Sequence, residues 1–306
     1  MKKRIIITGG LGQDGIILNK LLLRKQFSVY SFINKKKFKK IPKIKYLNIN
    51  LLDTQKTNES VRNINPHAII HLAAKNNSKL KIKDMKHDIF YKKNLLMTKN
   101  LIDSIVKNNK KIRFIFAGSS QMFLKQTGVV NENSKFFPSC HYSKYKIDAH
   151  KYIVKKKKQF NLFATTAILF NHDSRYRNVK FLLPRLVGYL HYKKLTFVKK
   201  LYKSNIFGDF SHAEDICNGI FLLLNSKINP DKIILSSNIF FSINKLIDHG
   251  LMVFKIKSKF LVPKKKIIKL IGNSDFAIKS LNWNIKKNCL IAFKDIIKTI
   301  IKTKTT

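Results

Sequence analysis

Thr8-Gly9-Gly10-Leu11-Gly12-Gln13-Asp14-Gly15 decides how the rest of the chain is read. The apolar run Arg4 to Ile7 before it reads as a first β-strand. Ile16, Ile17, Leu18, Leu21 and Leu22 after it fall at helical spacing, as the buried face of a helix. The spacing Gly9-x-x-Gly12-x-x-Gly15 permits a tight turn, close approach of backbone to a pyrophosphate, and close packing of helix on strand. Phosphates at such a turn meet the positive end of the helix dipole and its free N–H groups. A glycine pattern alone is weak, but its place between strand and helix makes this one a dinucleotide loop.

Working outward, 306 residues with 44% apolar content can bury a large core, and suit an α/β domain with a smaller appended lobe. Apolar runs such as Ile216 to Leu224 fall well short of the roughly 20 residues of a membrane span. The basic start Met1-Lys2-Lys3-Arg4 lacks the apolar stretch of a secretory signal. Cys140, Cys217 and Cys289 are odd in number and have no paired metal spacing, so no metal site is expected and a reducing cytoplasm is. The formal charge of +46 invites a nucleic-acid partner. Of the 62 basic residues, however, only seven are arginine, and the lysines are spread along the whole chain beside abundant Ile and Asn. That is the composition of AT-rich coding rather than of a binding patch, and the expectation is no nucleic acid and no membrane.

Strand-like and helix-like segments alternate over the first two-thirds, as in a doubly wound parallel sheet of the Rossmann type. Expected strands are Ser28 to Ile33, Lys45 to Ile49, Ala68 to Ala73, Arg113 to Gly118 and Phe163 to Phe170. Helices are expected from about Asp88 to Lys107 and from about Ser143 to Lys157. Residues 1–170 then form the dinucleotide domain, and residues 171–306 mainly a substrate-binding lobe, with some segments returning to the first domain. Leu195 to Val198, Lys232 to Leu235 and Ile243 to Phe254 read as pieces of that lobe. Cys289 to Ile301 reads as a closing amphipathic helix, with a frayed tail after it.

NAD-selective sites usually place Asp or Glu at the end of the second strand, on the ribose hydroxyls. Here that end reads Phe32-Ile33-Asn34-Lys35-Lys36-Lys37, with ammonium groups in place of a carboxylate, which favours NADP over NAD. Thr8, Gly9, Gly12, Gln13, Asp14, Gly15, Asn34 and Lys35 are the cofactor candidates of this half. Asp53, closing the third strand, either reaches the adenine amino group or caps the following helix. Leu72, Ala73 and Ala74 close the fourth strand, where small residues let the chain pass close to a cofactor.

Tyr142-Ser143-Lys144-Tyr145-Lys146 puts a tyrosine and a lysine four apart on one helix face. The Lys146 ammonium is expected to lower the Tyr142 hydroxyl from about 10, so that it exchanges a proton with a sugar hydroxyl. Ser119, at the end of the fifth strand, can hydrogen-bond the same oxygen.

The chain resembles the extended short-chain dehydrogenase/reductases (the NAD-dependent epimerase/dehydratase family). The likeness rests on the glycine loop, the Leu-Ala-Ala strand end, Asn94, Ser119, Tyr142 and Lys146. Within that superfamily it is most similar to the GDP-mannose 4,6-dehydratases. Gly12-Gln13-Asp14-Gly15 resembles their cofactor loop, Ile168 to Ser174 their segment after the sixth strand, and Asp209 to Asp215 their substrate-lobe motif. Ile271 to Asp275, with Leu281-Asn282-Trp283, resembles their C-terminal pattern. The resemblance implies an internal redox cycle: oxidation at C4 with hydride passing to NADP, loss of water across C5 and C6, and hydride return to C6. It implies Tyr142 as base, Lys146 as its partner, Ser119 in place of a threonine, and Leu169 and His172 on the cofactor. It further implies Ser120, Asn171, Lys180 and Arg185 on a nucleotide-diphosphate sugar, a GDP-linked one, and a homodimer or homotetramer.

The family's catalytic carboxylate falls on Gln121, and an amide cannot accept the C5 proton at neutral pH. Loss of a general base costs about 10²- to 10⁴-fold in rate. Glu132, Asp173 or a water held by Gln121 are the substitutes in reach of the sequence. The chain also lacks an arginine-rich loop after the second strand, and has Val262-Pro263 where arginine-proline is expected. Arg175, Arg177 and Arg185 remain for diphosphate or subunit contacts. A 4-keto-6-deoxy nucleotide-sugar reductase or a C4 epimerase needs no C5 base and stands as the alternative. From another class, a nucleotide-sugar-binding protein without turnover or a basic RNA-binding protein is opposed by the intact Ser/Tyr/Lys set.

Overall fold

The computed structural model describes residues 2–35, 37–75, 89–123, 128–258, 260–261 and 266–302. Lys36, Asp88, Val262, Pro263 and the tail 303–306 lie outside them. The chain begins with β1 (Arg4–Thr8), α1 (Gln13–Arg24), β2 (Ser28–Ile33), β3 (Lys45–Asn48), α2 (Thr54–Ile64), β4 (Ala68–His71), α3 (Ile89–Asn108) and β5 (Arg113–Ala117). β6 (Val129–Val130), α4 (His141–Phe160), β7 (Ala164–Leu169), β8 (Asn171–Asp173), α5 (Leu182–His191) and α6 (Leu195–Lys203) follow. The rest runs through β9 (Ile206–His212), α7 (Ala213–Asn225), β10 (Lys232–Leu235), β11 (Phe240–Ser242), α8 (Ile243–Val253), β12 (Ile267–Ile268), β13 (Ile271–Gly272), α9 (Asp275–Leu281) and α10 (Cys289–Lys302).

The main sheet of the described residues has the order β3-β2-β1-β4-β5-β7-β10, all parallel. Its inner strands are largely apolar runs because both faces are covered by helices, whereas the edge strand β3 is not buried. Ile5 and Ile7 point to one face, against Leu18 and Leu22 of α1 and Ile216 and Ile220 of α7. Ile6 points to the other, in a cluster with Val61, Leu101, Ile105 and Tyr145 of α2, α3 and α4. β1 lies between β2 and β4, with Thr8 opposite Phe32 on one side and His71 on the other. The strand order reverses there, so the carboxyl ends of β1 and β4 splay their loops apart and open a crevice.

One expected lobe piece belongs elsewhere. Lys232–Leu235 is β10, which pairs with β7 at the edge of the main sheet. Ile233, Ile234 and Leu235 are wholly buried there. Leu195–Lys203 and Ile243–Val253 are helices, and they share a separate apolar cluster with α5 and α10 through Leu186, Leu190, Leu246 and Phe293. A smaller sheet, β11-β9-β12 with β8 alongside β9, lies next to that cluster. No described helix is long and apolar enough to cross a membrane.

Candidate active site

The crevice is a cavity of about 470 Å³ lined by Gly9, Gly10, Leu11 and Gly12, by Asn34 and Lys35 after β2, by Asn50 to Leu52 after β3, and by Ala73 to Lys75 after β4. Lys93 and Asn94 of α3 complete one side, and the described lining holds no carboxylate. Gly9 has φ +73°, the left-handed region that favours glycine, and a Cβ on it would lie 3.0 Å from the Ala73 nitrogen. A Cβ on Gly15 would stand 2.5 Å from the Gly9 carbonyl oxygen, so Gly15 is required for α1 to pack under the turn. Gly10, which the spacing argument passed over, is as tight. Its missing Cβ would fall 1.6 Å from Ser31 Oγ, and the doubled glycine was the available signal.

Behind the cavity wall runs a buried hydrogen-bond chain. The Ala73 N–H donates to Thr8 Oγ1 (3.2 Å), which pairs with His71 Nδ1 (2.7 Å), while His71 Nε2 pairs with Thr98 Oγ1 (3.0 Å). Thr98 donates its single proton to the Asn94 carbonyl oxygen, so it accepts from Nε2–H, and Nδ1 accepts from Thr8. His71 is accordingly neutral. Burial, and then the Lys146 charge, pull its pKa down to about 3. Thr8 is fully enclosed and holds the β4 loop instead of lining the cavity. Asn94 supports the same loop, its amide accepting from the Lys75 N–H and donating to the Lys75 carbonyl oxygen, both at 3.0 Å. Leu72, whose N–H donates to the Thr8 carbonyl oxygen, packs on the α1 side of the sheet.

Ser119, Gln121, Tyr142 and Lys146 come together where β5 meets α4. Lys146 Nζ donates to the Ala117 carbonyl oxygen at 2.5 Å and lies 5.5 Å from the centre of the Tyr142 ring. Gln121, in the short 3-10 turn Ser120–Phe123, receives a contact from Cys140 Sγ on its Oε1 at 3.6 Å and donates its N–H to Ser119 Oγ at 3.3 Å. Cys140 and Ser143 cap α4 reciprocally, which fixes the helix start that carries Tyr142. Electrostatics depart from expectation. Burial pulls the Lys146 amine down to about 7. Burial also pushes the Tyr142 hydroxyl above its usual value. Arg177 is the cation pulling that hydroxyl down, while Asp14 and Cys140 raise it further.

Several expected ligand contacts are committed within the chain. Asp53 is the N-cap of α2, accepting from the Lys56 N–H at 2.9 Å, which is the capping role of its two alternatives. Gln13, Asp14 and His172 do not line the cavity. They bond one another and Ser174, because the first turn of α1 faces the segment after β7. Leu169 is buried at the end of β7. Glu132 accepts from the Ile234 N–H (2.8 Å), and Asp173 lies 2.9 Å from Arg177 Nε, so neither stands free as a base. Of the substrate candidates, Ser120 adjoins Gln121. Asn171 is exposed at the start of β8, Lys180 is exposed, and Arg185 of α5 lies over the Phe197 ring of α6, 4.8 Å from its centre. All four lie outside the cavity lining. Lys75 and Lys93, which do line it, carry no motif and were not legible.

A model of the family described as GDP-mannose 4,6 dehydratase matches residues 6–267. The chain belongs to the GDP-mannose 4,6-dehydratase family. It is 24% identical over 326 residues to GDP-mannose 4,6 dehydratase 1 of Arabidopsis thaliana, covering 98% of this chain and 89% of that protein. The fold is similar to UDP-glucose 4-epimerase of Thermotoga maritima, with a TM-score of 0.82 and 16% identity over 98% of this chain and 99% of that one. It is also similar to dTDP-glucose 4,6-dehydratase of Bacillus anthracis in complex with NAD, with a TM-score of 0.80 and 15% identity over 99% and 98%. Membership of the GDP-mannose 4,6-dehydratase family makes the chain one of a group of nucleotide-sugar enzymes.

Proposed function

We propose that the chain is an NADP-dependent nucleotide-sugar 4,6-dehydratase acting on a GDP-linked hexose. The observation that carries this reading is the β5/α4 junction, where the Lys146–Ala117 and Cys140–Gln121 contacts hold Ser119, Tyr142 and Lys146 in one place. A dinucleotide fits the adjoining cavity: the glycines leave room for a backbone approach, no described lining carboxylate repels a 2′-phosphate, and Lys35, Lys75 and Lys93 bring ammonium groups to it. Gly9, Gly12, Ala73 and Ala74 would hold it, with Asn34 and Lys35 at the phosphate-bearing ribose. When bound, the nicotinamide supplies a reversible hydride acceptor. Tyr142 takes the proton of the sugar 4-hydroxyl, Ser119 hydrogen-bonds that oxygen, and Lys146 and Arg177 offset the charge left on the phenol. Self-association belongs to the same proposal and rests on the family.

A second reading, 4-keto-6-deoxy nucleotide-sugar reductase or C4 epimerase, is favoured by one observation. The Gln121 amide, in contact with Cys140, offers no base for the C5 proton. Incubation with GDP-mannose separates the two. Formation of a 4-keto sugar supports the dehydratase, whereas NADPH loss only with a 4-keto-6-deoxy sugar nucleotide supports the reductase. Gln121→Glu should raise elimination by at least 10-fold, and no rise would show that the missing carboxylate does not limit the rate.

A further inference from the structure

The amino ends of β1 to β4 open on a second cavity, of about 490 Å³, at the end of the main sheet opposite the glycine loop. β1 runs between the two, so roughly 13 Å of strand separates them. Lys2, Lys3 and Arg4 enter the cavity at the start of β1, Lys45 at the start of β3, and Lys111 from the turn before β5. Its described lining includes no carboxylate, and none of these five cations forms an ion pair with a described residue. That sets the place apart even in a chain rich in lysine. The cavities beside α4 and between α1 and α7 are also basic, but each includes a carboxylate, Asp148 in one and Glu214 in the other.

Two helices end here, and their dipoles offset part of this charge. α2 stops at Ile64 and α3 at Asn108, each bringing about half a negative charge, so together they answer about one of the five cations. The acceptors of the cavity are largely committed within the chain. The Arg4, Lys3 and His67 carbonyl oxygens accept from the His67, Ser28 and Arg113 N–H groups at 2.7, 3.0 and 3.1 Å. Asn109 Oδ1 accepts from the Lys111 N–H (3.0 Å), and Asn65 Oδ1 accepts from Asn109 Nδ2 (2.8 Å). The Tyr30 hydroxyl accepts from Lys45 Nζ (3.2 Å), and the same ammonium covers the Tyr30 ring, 4.9 Å from its centre. What faces the space is therefore a set of donors: the cations, Asn65 Nδ2 and the Tyr30 hydroxyl proton. His67 registers the crowding, its imidazole held below its usual value by burial and then by the Lys3 and Arg113 charges.

We propose that this cavity is a second anion site, which takes a short phosphate chain, an oligophosphate either free or carried on a nucleoside. Such a chain presents only acceptor oxygens and a negative charge on every phosphate, the complement of a donor-rich, net positive lining. The cavity also has the volume of a small-molecule pocket. Single-stranded nucleic acid fits it less well, because bases need an open aromatic face and Lys45 occupies that of Tyr30. The inference does not rest on the reaction assigned to the crevice.

Calorimetry of the full chain with inorganic tripolyphosphate, at about 0.15 M ionic strength, tests the site. One phosphate chain should bind per protein. Replacing two cations together, Lys3→Ala with Lys111→Ala, should weaken that binding about 10-fold or more and leave NADPH affinity within about 2-fold. Lys151→Ala, in the cavity that holds Asp148, should change it less than about 2-fold. NMR of the wild type should show the His67 titration moving up by about one pH unit when tripolyphosphate is bound, since an anion favours the imidazolium. ATP in parallel distinguishes the source: tighter binding than tripolyphosphate assigns a nucleotide, equal or weaker binding the inorganic chain, and either supports the site. Equal losses in the two sets of variants would show attraction by the charge of the whole protein and overturn the inference. Absence of saturable binding, or a His67 titration that does not move, would overturn it as well. An RNA single strand that moves His67 further than tripolyphosphate does, at equal phosphate concentration, would assign the cavity to nucleic acid and likewise overturn it.

Discussion

Lys146 Nζ donates to the main-chain carbonyl of Ala117, the last residue of β5. The amine is thus anchored under the strand end that leads to Ser119, at the expense of its own hydration. With its pKa lowered to about 7 from 10.5, the folded state binds fewer protons than the unfolded chain between those values. Stability therefore rises with pH across that window, and the penalty is fully present below pH 7. Lys146→Met should gain about 1–3 kcal/mol at pH 6.5, lose that gain as pH approaches 10.5, and abolish turnover. Urea unfolding at three pH values checks this, and a variant less stable than wild type at pH 6.5 would contradict it.

Two glycines should respond in opposite directions. Gly15→Ala forces a methyl against the Gly9 and Gly10 backbone and should cost about 1–3 kcal/mol, together with most NADPH binding. Gly188 lies inside α5 with nothing within 4 Å of an added Cβ, so Gly188→Ala should stabilise by about 0.5–1 kcal/mol. Thermal melts and NADPH titrations of the two variants make the comparison.

Thr8→Val would leave the Ala73 N–H without its acceptor and His71 Nδ1 without its donor. Buried unpaired groups of this kind cost about 1–3 kcal/mol each, so a loss of about 2–4 kcal/mol is expected in urea unfolding, with Thr8→Ser close to wild type. A Thr8→Val variant within 0.5 kcal/mol of wild type would count against the assigned donor order.

Asp209 has the opposite linkage to an ordinary paired carboxylate. Burial raises it to about 6, against the hydrogen bonds it receives from Ser237 N–H and Oγ. The folded state then binds the proton more tightly than the unfolded chain, so stability is lost as pH rises from about 4 to 6 and the penalty is complete above that. Relative to Asp209→Asn, the wild type should lose on the order of 2–3 kcal/mol across that interval. A flat difference would refute it.

Much of this architecture was legible from the chain alone. Ser28–Ile33 is found as read, and the other early strands differ by a residue or two at their ends, because buried parallel strands are unbroken apolar runs. Lys232–Leu235 was misplaced because its identity as a sheet strand depends on β7, more than sixty residues earlier, and no local pattern encodes that pairing. The same holds for the site. Gly9 and Gly15 announce themselves by spacing, and Tyr142 and Lys146 by helical offset. The partner of Asp14 lies 158 positions away, so the bond between Asp14 and His172 has no local signature. The Tyr142 hydroxyl was read as lowered by Lys146, because a sequence shows a neighbouring charge but not the burial that outweighs it.

The hydrogen-bond chain from Thr98 through His71 and Thr8 to Ala73 begins at a carbonyl that cannot donate and ends at an amide that cannot accept. At Thr98 it branches, because Thr98 Oγ1 also lies 3.4 Å from the Tyr145 hydroxyl of α4. The cavity wall at Ala73 and the helix that carries Tyr142 are thereby tied into one buried side-chain network that crosses the sheet.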